Sequence, residues 1–596
     1  MREINKIITV ILLLIPVLSF ATNTGDYQSS GNVTFTSKKN WQVYSGTKWV
    51  NATTVPSLAS GTVTTINDYA VIDADINIDG TLIINTTANT KDSPNITVGG
   101  NFTINSAGGL YLIGNLSVLS GGTMTISGQF NHTSGILNIA GNYLISPTGQ
   151  NYCYGTTNIL SGGTIINNNI FQTNSTLNIT GTLQTSGTSF YLNGTNVVNS
   201  TGVVIFNQDG STGSIPIATW NTGSTLNITG ITSNRPQNLN QSFYNLTWNC
   251  NSQSADINFY DVLTTVKGDL TFSNTNSKNL TLFNWSSNTL TIGGNLIVSG
   301  STKVTLGGGG TSNVVLTVGG NFTQSDGILE LGNSVNTMNV KGNFTSTGGK
   351  ITRTSGSAKI NFCGTSTQYF TSSNSNESSN NVSIEVAYGS SLVLASKMVV
   401  LGDTATKFIV YGSLDLVTYN IINDFSFNLA RTGKLICGNG AVSSYGKSSA
   451  KFEISNGGII YIGSPFGITS SGSTGNIQVN GTRTYTANAK YIYNGTSAQV
   501  TGNGLPASIY YLVISNSNGV TLSNSVTVSD SLFMTSGNIT TGSNVLTLSN
   551  AKPGSLSYTS GLINGKFART FSNSNTTSYL FPIGKLNLRR NITITF

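Results

Sequence analysis

Charge is scarce in this chain. Asp, Glu, Lys and Arg make up only 8% of its 596 residues, and it carries 1 histidine, 4 cysteines and 10 prolines. Long disordered segments usually hold more charge or proline and fewer β-branched residues, so the composition points to folded structure. Helical periodicity of useful length is absent, and no clear linker divides the chain into globular domains. After the leader no apolar run approaches the roughly 18 residues of a spanning helix, so no transmembrane segment is expected. The net charge of +8 and the pI near 9.1 raise the question of nucleic acid, but the 28 Lys and Arg are scattered and form no basic stripe.

The shortage of histidine and cysteine limits chemistry. There is no Cys-x-x-Cys, so a zinc site has no ligand set and no cofactor is implied. A serine nucleophile with a histidine base has only His132 to use. It lies between Asn131 and Thr133 at a repeat position, where an outward strand residue is expected. Cys153, Cys250, Cys363 and Cys437 are separated by stretches several coils long in a stacked fold, which puts them beyond disulfide reach; they read as small buried residues.

What the chain has in abundance is glycine, 68 residues of it, with many Ser, Thr and Asn and 9% aromatics. Gly99-Gly100-Asn101-Phe102-Thr103-Ile104 is a glycine corner feeding a strand. Gly114-Asn115-Leu116, Gly128-Gln129-Phe130 and Gly141-Asn142-Tyr143 follow it at a short, nearly even step, and Gly294-Asn295, Gly320-Asn321 and Gly342-Asn343 come later. A regular recurrence of this kind indicates a repeat architecture. Glycine is expected to supply a corner with positive φ, and Phe102 and Ile104 face in while Asn101 and Thr103 face out. A chain this long exceeds one ordinary core, and a solenoid avoids that limit because each coil buries its apolar face on its neighbours. The fold expected is all-β, a right-handed parallel β-helix or β-solenoid with an atypical N-terminal cap; tandem β-sandwich modules are the alternative.

Along the chain, residues 1–21 read as a signal peptide: Arg2 and Lys6 precede the apolar run Ile7 to Leu18, and Ser19-Phe20-Ala21 supplies the cleavage site. Residues 22–60, with Trp41 and Trp49, lack the period and read as the cap, although exposed tryptophans also stack on sugars. Residues 61–360 form the repeat-bearing solenoid. Within it Asp73, Asp75, Asn77 and Asp79 alternate with Ile72, Ala74, Ile76 and Ile78, which puts four oxygen-bearing side chains on one edge: a solvated face, or a calcium edge if a neighbouring coil adds ligands. Residues 361–550 hold further modules, marked by Phe362-Cys363-Gly364-Thr365-Ser366-Thr367-Gln368 and Tyr493-Asn494-Gly495-Thr496-Ser497-Ala498-Gln499. Residues 551–596 begin a further module that reads as truncated. Gly307 to Gly310 lacks the Gly-Lys-Ser/Thr of a phosphate loop and reads as a turn. Lys585, Arg589 and Arg590 are read as a charged strand edge or a contact for acidic glycan.

The leader, Gly25-Asp26-Tyr27, the stretch Phe243-Tyr244-Asn245-Leu246-Thr247-Trp248-Asn249-Cys250 running on to Lys267-Gly268-Asp269-Leu270, and Gly565-Lys566-Phe567-Ala568-Arg569 before Phe581-Pro582-Ile583-Gly584 resemble large repeat-containing surface proteins of Bacteroidetes. That resemblance implies a β-solenoid, an adhesin-like role and export by the type IX route, whose C-terminal sorting domain this sequence does not show. The function expected is a secreted or cell-surface structural or adhesive protein whose Asn/Thr/Ser face makes weak multivalent contacts with glycans, cells or matrix. The alternative is a polysaccharide lyase or hydrolase on the same scaffold, which would need clustered carboxylates. An ice-binding threonine face is the third reading, weakened because Thr-x-Thr pairs such as Thr123 and Thr125 do not recur in every coil.

Overall fold

The computed structural model describes residues 22–187, 189–284, 288–307, 313–333, 335–373, 379–403, 405–572, 577–585 and 588–595. The leader and Gly308 to Gly310 lie outside these residues. The protein is all-β, with half of it in strands that stack in parallel into a β-solenoid of about 23 turns. Two compact units divide at Thr225 and Leu226.

In the first unit each coil visits three faces in a fixed order. The first face is entered at Val63–Ile66, the second at Ala70–Ile72 and the third at Ile76–Ile78. Thr81–Ile84 then returns to the first face and pairs in parallel with Val63–Ile66. Register on the first face runs Val63, Thr81, Asn101, Thr123, Asn142, Thr164, Thr182, Val203, so a coil takes about 20 residues, at the short end of solenoid repeats.

This explains the short step of the sequence repeat. Asn101–Ile104 lies on the first face, Asn115–Val118 on the third, Gln129–Ser134 on the second and Asn142–Ile145 on the first again. Successive motif copies advance two faces out of three, so the motif period is about two-thirds of a coil. Inward pairs such as Phe102 with Ile104 and Leu137 with Ile139 are fully buried. Each such side chain contributes on the order of 1.5–3 kcal/mol.

The motif glycine works differently from the expectation. Gly100 has no positive φ; a Cβ there would stand 2.1 Å from the Gly80 carbonyl oxygen of the preceding coil. Close stacking of one corner on another excludes the side chain. Gly114 does adopt a positive φ, 132°. Asparagine, too, acts between coils: the Asn115 side-chain oxygen accepts from the Ile136 N–H at 2.9 Å.

At the start of this unit, Tyr27–Ser29 pairs in parallel with Val63–Ile66 and antiparallel with Trp41–Tyr44, which in turn pairs with Trp49–Asn51. Trp41 is buried edge-on against Phe35 at 5.5 Å, and Trp49 packs on Tyr44 at 5.4 Å. Trp41 therefore offers no open face to a sugar, whereas Trp49 is half-exposed.

The second unit is likewise three-faced through most of its length. Its first face runs through Leu246, Leu270, Leu296, Phe322, Phe344 and Phe370, and its coils are somewhat longer than those of the first unit. A spine of side chains follows the corner beside it. Asn245 Oδ1 accepts from Asp269 N, Asp269 Oδ1 from Asn295 N, Asn295 Oδ1 from Asn321 N, Asn321 Oδ1 from Asn343 N and Asn343 Oδ1 from Tyr369 N, all at 2.7–2.9 Å. Inside, Phe322, Phe344 and Phe370 stack with centroids 4.8 and 5.2 Å apart. Stacking continues through residue 360, since Lys359–Phe362 pairs with Thr337–Val340 on one side and Ser383–Val386 on the other. Ser578–Lys585 and Leu588–Thr595 form an antiparallel hairpin in which Lys585 pairs with Leu588, Gly584 with Arg589 and Ile583 with Arg590. The parallel ladders rule out tandem β-sandwiches, which are built from antiparallel sheets. Among the described residues no helix is long and apolar enough to cross a membrane.

Candidate functional site

The acidic edge read from Asp73 to Asp79 is not a single edge. A corner interrupts it: Ala70–Ile72 belongs to the second face and Ile76–Ile78 to the third. Asp73 turns back to accept from the N–H and hydroxyl of Thr36, whereas Asp75 accepts from Asn95 N at 2.7 Å and Asn95 Nδ2 at 3.1 Å in the next coil. The backbone and side-chain bonds from Asn95 hold the Asp75 carboxyl below its ordinary pKa. Asn77 and Asp79 are exposed. The carboxylates therefore serve neighbouring coils in opposite directions, and no group of three or more His, Cys, Asp and Glu forms among the described residues.

His132 is buried, contrary to its expected outward position. Alternation from Phe130 carries it inward, between its register partners Leu112 and Cys153. Its Nε2 lies 2.9 Å from the Gly114 carbonyl oxygen, and burial lowers its pKa although backbone bonding opposes this. Beside it Tyr143 donates to Asn151 Oδ1 at 2.6 Å and Asn151 Nδ2 to Cys153 Sγ at 3.3 Å, a buried chain of polar groups. The four cysteines are in no disulfide; three are buried and Cys363 is half-buried.

The outward surface of the first unit is more regular than its sequence suggests. From Ser93 to Gln208 there is no Asp, Glu, Lys or Arg. This run is legible in the sequence yet is masked by an overall count of scattered charges. On the third face Asn158 Nδ2 donates to Asn138 Oδ1 and Asn178 Nδ2 to Asn158 Oδ1, both at 2.9 Å, forming an amide ladder. On the first face Thr103, Thr125, Leu144, Ile166 and Gln184 succeed one another outward.

The second face carries the aromatics. Its central outward column reads Asn89, Tyr111, Asn131, Tyr152, Gln172, Tyr191 in successive coils. The four most exposed tyrosines of this unit are Tyr111 and Tyr191 in this column and Tyr69 and Tyr154 just beyond its strand ends, while Tyr152 is half-buried. Asn89 Nδ2 donates to the Tyr69 hydroxyl at 3.0 Å, and the Tyr111 hydroxyl donates to Gln129 Oε1 at 3.4 Å. Gln172 donates to Asn174 Oδ1 at 3.1 Å, which also accepts from Asn193 at 2.8 Å.

Two of the grooves in the second unit are lined by residues from successive coils. One, of about 520 Å³, is lined by Tyr388, Tyr411, Ser390, Ser413, Thr432 and Lys434 from successive coils. The other, of about 490 Å³, contains Asp403, Asp424, Lys447 and Lys451. Its acids are committed to cations. Arg353 grips Asp403 through both oxygens at 2.7 and 2.6 Å, and Lys447 lies 3.7 Å from Asp424, whose Oδ1 accepts from Tyr445 N at 2.7 Å. Burial acts to raise the Asp403 pKa, but the Ala405 N–H, the Arg353 charge and Thr406 outweigh it and leave the carboxyl below its ordinary value.

No match to this chain is found among protein-family models, curated proteins or solved structures.

Proposed function

We propose that this chain is a secreted or cell-surface structural and adhesive solenoid, which binds extracellular glycan or matrix by many weak contacts. The observation that carries the reading is the charge-free surface from Ser93 to Gln208, where amide, hydroxyl and phenol groups repeat in register from coil to coil. Such a surface offers hydrogen-bond donors and acceptors at a constant spacing of about 4.8 Å, and repetition converts weak single contacts into useful avidity. Export through the leader, delivery to the surface of a Bacteroidetes-type cell and use of the type IX route belong to the same proposal.

A polysaccharide-processing enzyme needs two acids in one groove, and Asp403 and Asp424 line a groove together. Both are tied to cationic partners, an arrangement suited to bracing a corner rather than to moving protons. The purified chain should therefore retain polysaccharides from a panel of neutral and acidic types without producing new reducing ends or unsaturated sugars. Turnover of any of them would replace the adhesive reading with the enzymatic one.

A further inference from the structure

Resting on that adhesive reading, we infer that the second face of the first unit is the glycan-binding track. Its ligand class is an extended, uncharged, β-linked polysaccharide lying along the stacking direction over Tyr111, Tyr152 and Tyr191.

Spacing comes first. Tyr111 and Tyr152 are separated in register by Asn131 alone, and Tyr152 and Tyr191 by Gln172 alone. Two coils advance the stack by about 9.6 Å, so three phenol rings recur at that interval. The interval matches the disaccharide repeat of an extended β-1,4-linked chain, in which alternate sugar rings present the same face. Helical or coiled polysaccharides do not hold that repeat in a straight line.

Chemistry agrees with spacing. Phenol rings offer an apolar face to the C–H face of a sugar and a hydroxyl at the rim. Gln172, half-exposed between two of the rings, adds carboxamide hydrogen-bonding capacity, and Asn174 and Asn193 extend that capacity along the next column. Asn131 has a different place. Its carboxamide nitrogen is buried without a hydrogen-bond partner although the residue is half-exposed, and it holds the register position between Tyr111 and Tyr152.

Charge selects among partners. The seven strands from Ala70–Ile72 to Ser189–Leu192 on this face contain no Asp, Glu, Lys or Arg. Nucleic acid and uronate or sulfated glycans need cations that are missing here. A neutral ligand needs none, and its binding should be indifferent to salt.

The test is affinity electrophoresis of the full chain in gels containing soluble β-1,4-linked glucomannan, with polygalacturonate gels in parallel. Three proteins are run: wild type, a triple variant Tyr111→Thr, Tyr152→Thr and Tyr191→Thr, and a first-face control Thr103→Ala, Thr125→Ala and Gln184→Ala. The three tyrosines face outward and threonine suits strands, so circular dichroism should report an unchanged fold. The expected result is retardation of wild type and control by glucomannan at low and high salt alike, with at least about a tenfold weaker effect on the triple variant. If wild type and triple variant are retarded equally, the track is wrong while the adhesive reading stands. Salt-sensitive retardation by polygalacturonate alone overturns the neutral-ligand assignment. Absence of retention by every polysaccharide overturns both.

Discussion

Gln368 and Gln499 lie far apart in the chain and close their corners with the same three hydrogen bonds. Gln368 Oε1 accepts from Gly364 N at 2.8 Å, and its Nε2 donates to the Val340 and Gly342 carbonyls of the preceding coil at 3.0 and 2.5 Å. Gln499 Oε1 accepts from Gly495 N at 2.8 Å, and its Nε2 donates to the Ile462 and Ser464 carbonyls, both at 2.9 Å. Both side chains are almost wholly buried. The aromatic-x-Gly-Thr-Ser-x-Gln motif is thus a buried bracket: the glutamine satisfies one N–H of its own turn and two carbonyls of the coil beneath.

Replacing Gln368 with leucine should leave the Gly364 N–H and the Gly342 carbonyl without partners, while the Val340 carbonyl keeps its bond from the Cys363 N–H at 3.0 Å. Each orphaned buried group costs about 1–3 kcal/mol, so a loss of at least about 2 kcal/mol is expected for the local coils. Hydrogen exchange should show it as faster exchange at Gly364 and its neighbours. Unchanged protection there would refute the bracket role.

Gly100→Ala should destabilise strongly even though its φ is one that alanine accepts. The new methyl would meet the carbonyl oxygens of Gly80 and Asp79 at 2.1 and 2.5 Å, and backbone atoms cannot rotate away. A cost of about 2–4 kcal/mol is expected. Gly121 makes a useful comparison, because its φ is +87° and its Cβ direction is open. Alanine there should cost only about 1 kcal/mol from backbone conformation. Equal effects at the two sites in urea denaturation would contradict the close-stacking explanation.

His132 makes stability depend on pH in a window that carboxylates do not share. Its folded pKa lies below the ordinary 6.5, chiefly because burial disfavours the charged ring. The unfolded chain therefore binds the proton first as pH falls, and stability present above about pH 6.5 is lost below it. With 1 histidine in the chain, the effect has one source. Melting temperature should fall between about pH 7.5 and 5 in the native chain, and His132→Leu should flatten that slope while lowering the plateau through loss of the Gly114 contact. A slope unchanged by the substitution would remove His132 from the explanation.

Thiol labelling should separate the cysteines. Burial pushes the Cys153 thiol up to about 11, and burial together with the nearby Asp415 raises Cys437 further. Cys363 is only half-buried, and although burial raises its pKa the Lys341 charge works the other way. A thiol reagent at mildly alkaline pH should modify Cys363 first and reach Cys153 and Cys437 only on unfolding. Uniform labelling of the native chain would show that the coils open far more readily than their packing implies.

Much of the architecture is readable from residues alone, because alternation is local. Phe102 and Ile104 are inward as their period-two pattern requires, and the Gly-Asn corners do mark strand entries. Three things are not legible, each for a physical reason. Coil length is hidden because a motif that advances two faces at a time looks like a shorter repeat. The acidic stretch from Asp73 to Asp79 keeps its alternation across a corner, so one bent segment mimics a straight strand. His132 looks outward by its polarity, although Phe130 two positions earlier already fixes its direction. The tyrosine column is the hardest to see: Tyr111, Tyr152 and Tyr191 are each two whole coils apart, and only the stacking register makes them neighbours in a line.

The two-thirds step of the glycine motif also governs how this chain can change length. Deleting a single motif copy would rotate everything downstream by two faces, carrying the tyrosines onto the side of the amide ladder. Three copies, the stretch that leads from Asn101 to Asn142, restore the original facing after two turns. Duplications and excisions that preserve the surface must come in whole turns, and the shortest one spelled out in complete motifs is that pair. A library of length variants cut to this rule should fold and keep its faces, whereas variants cut at single motifs should fold with scrambled ones.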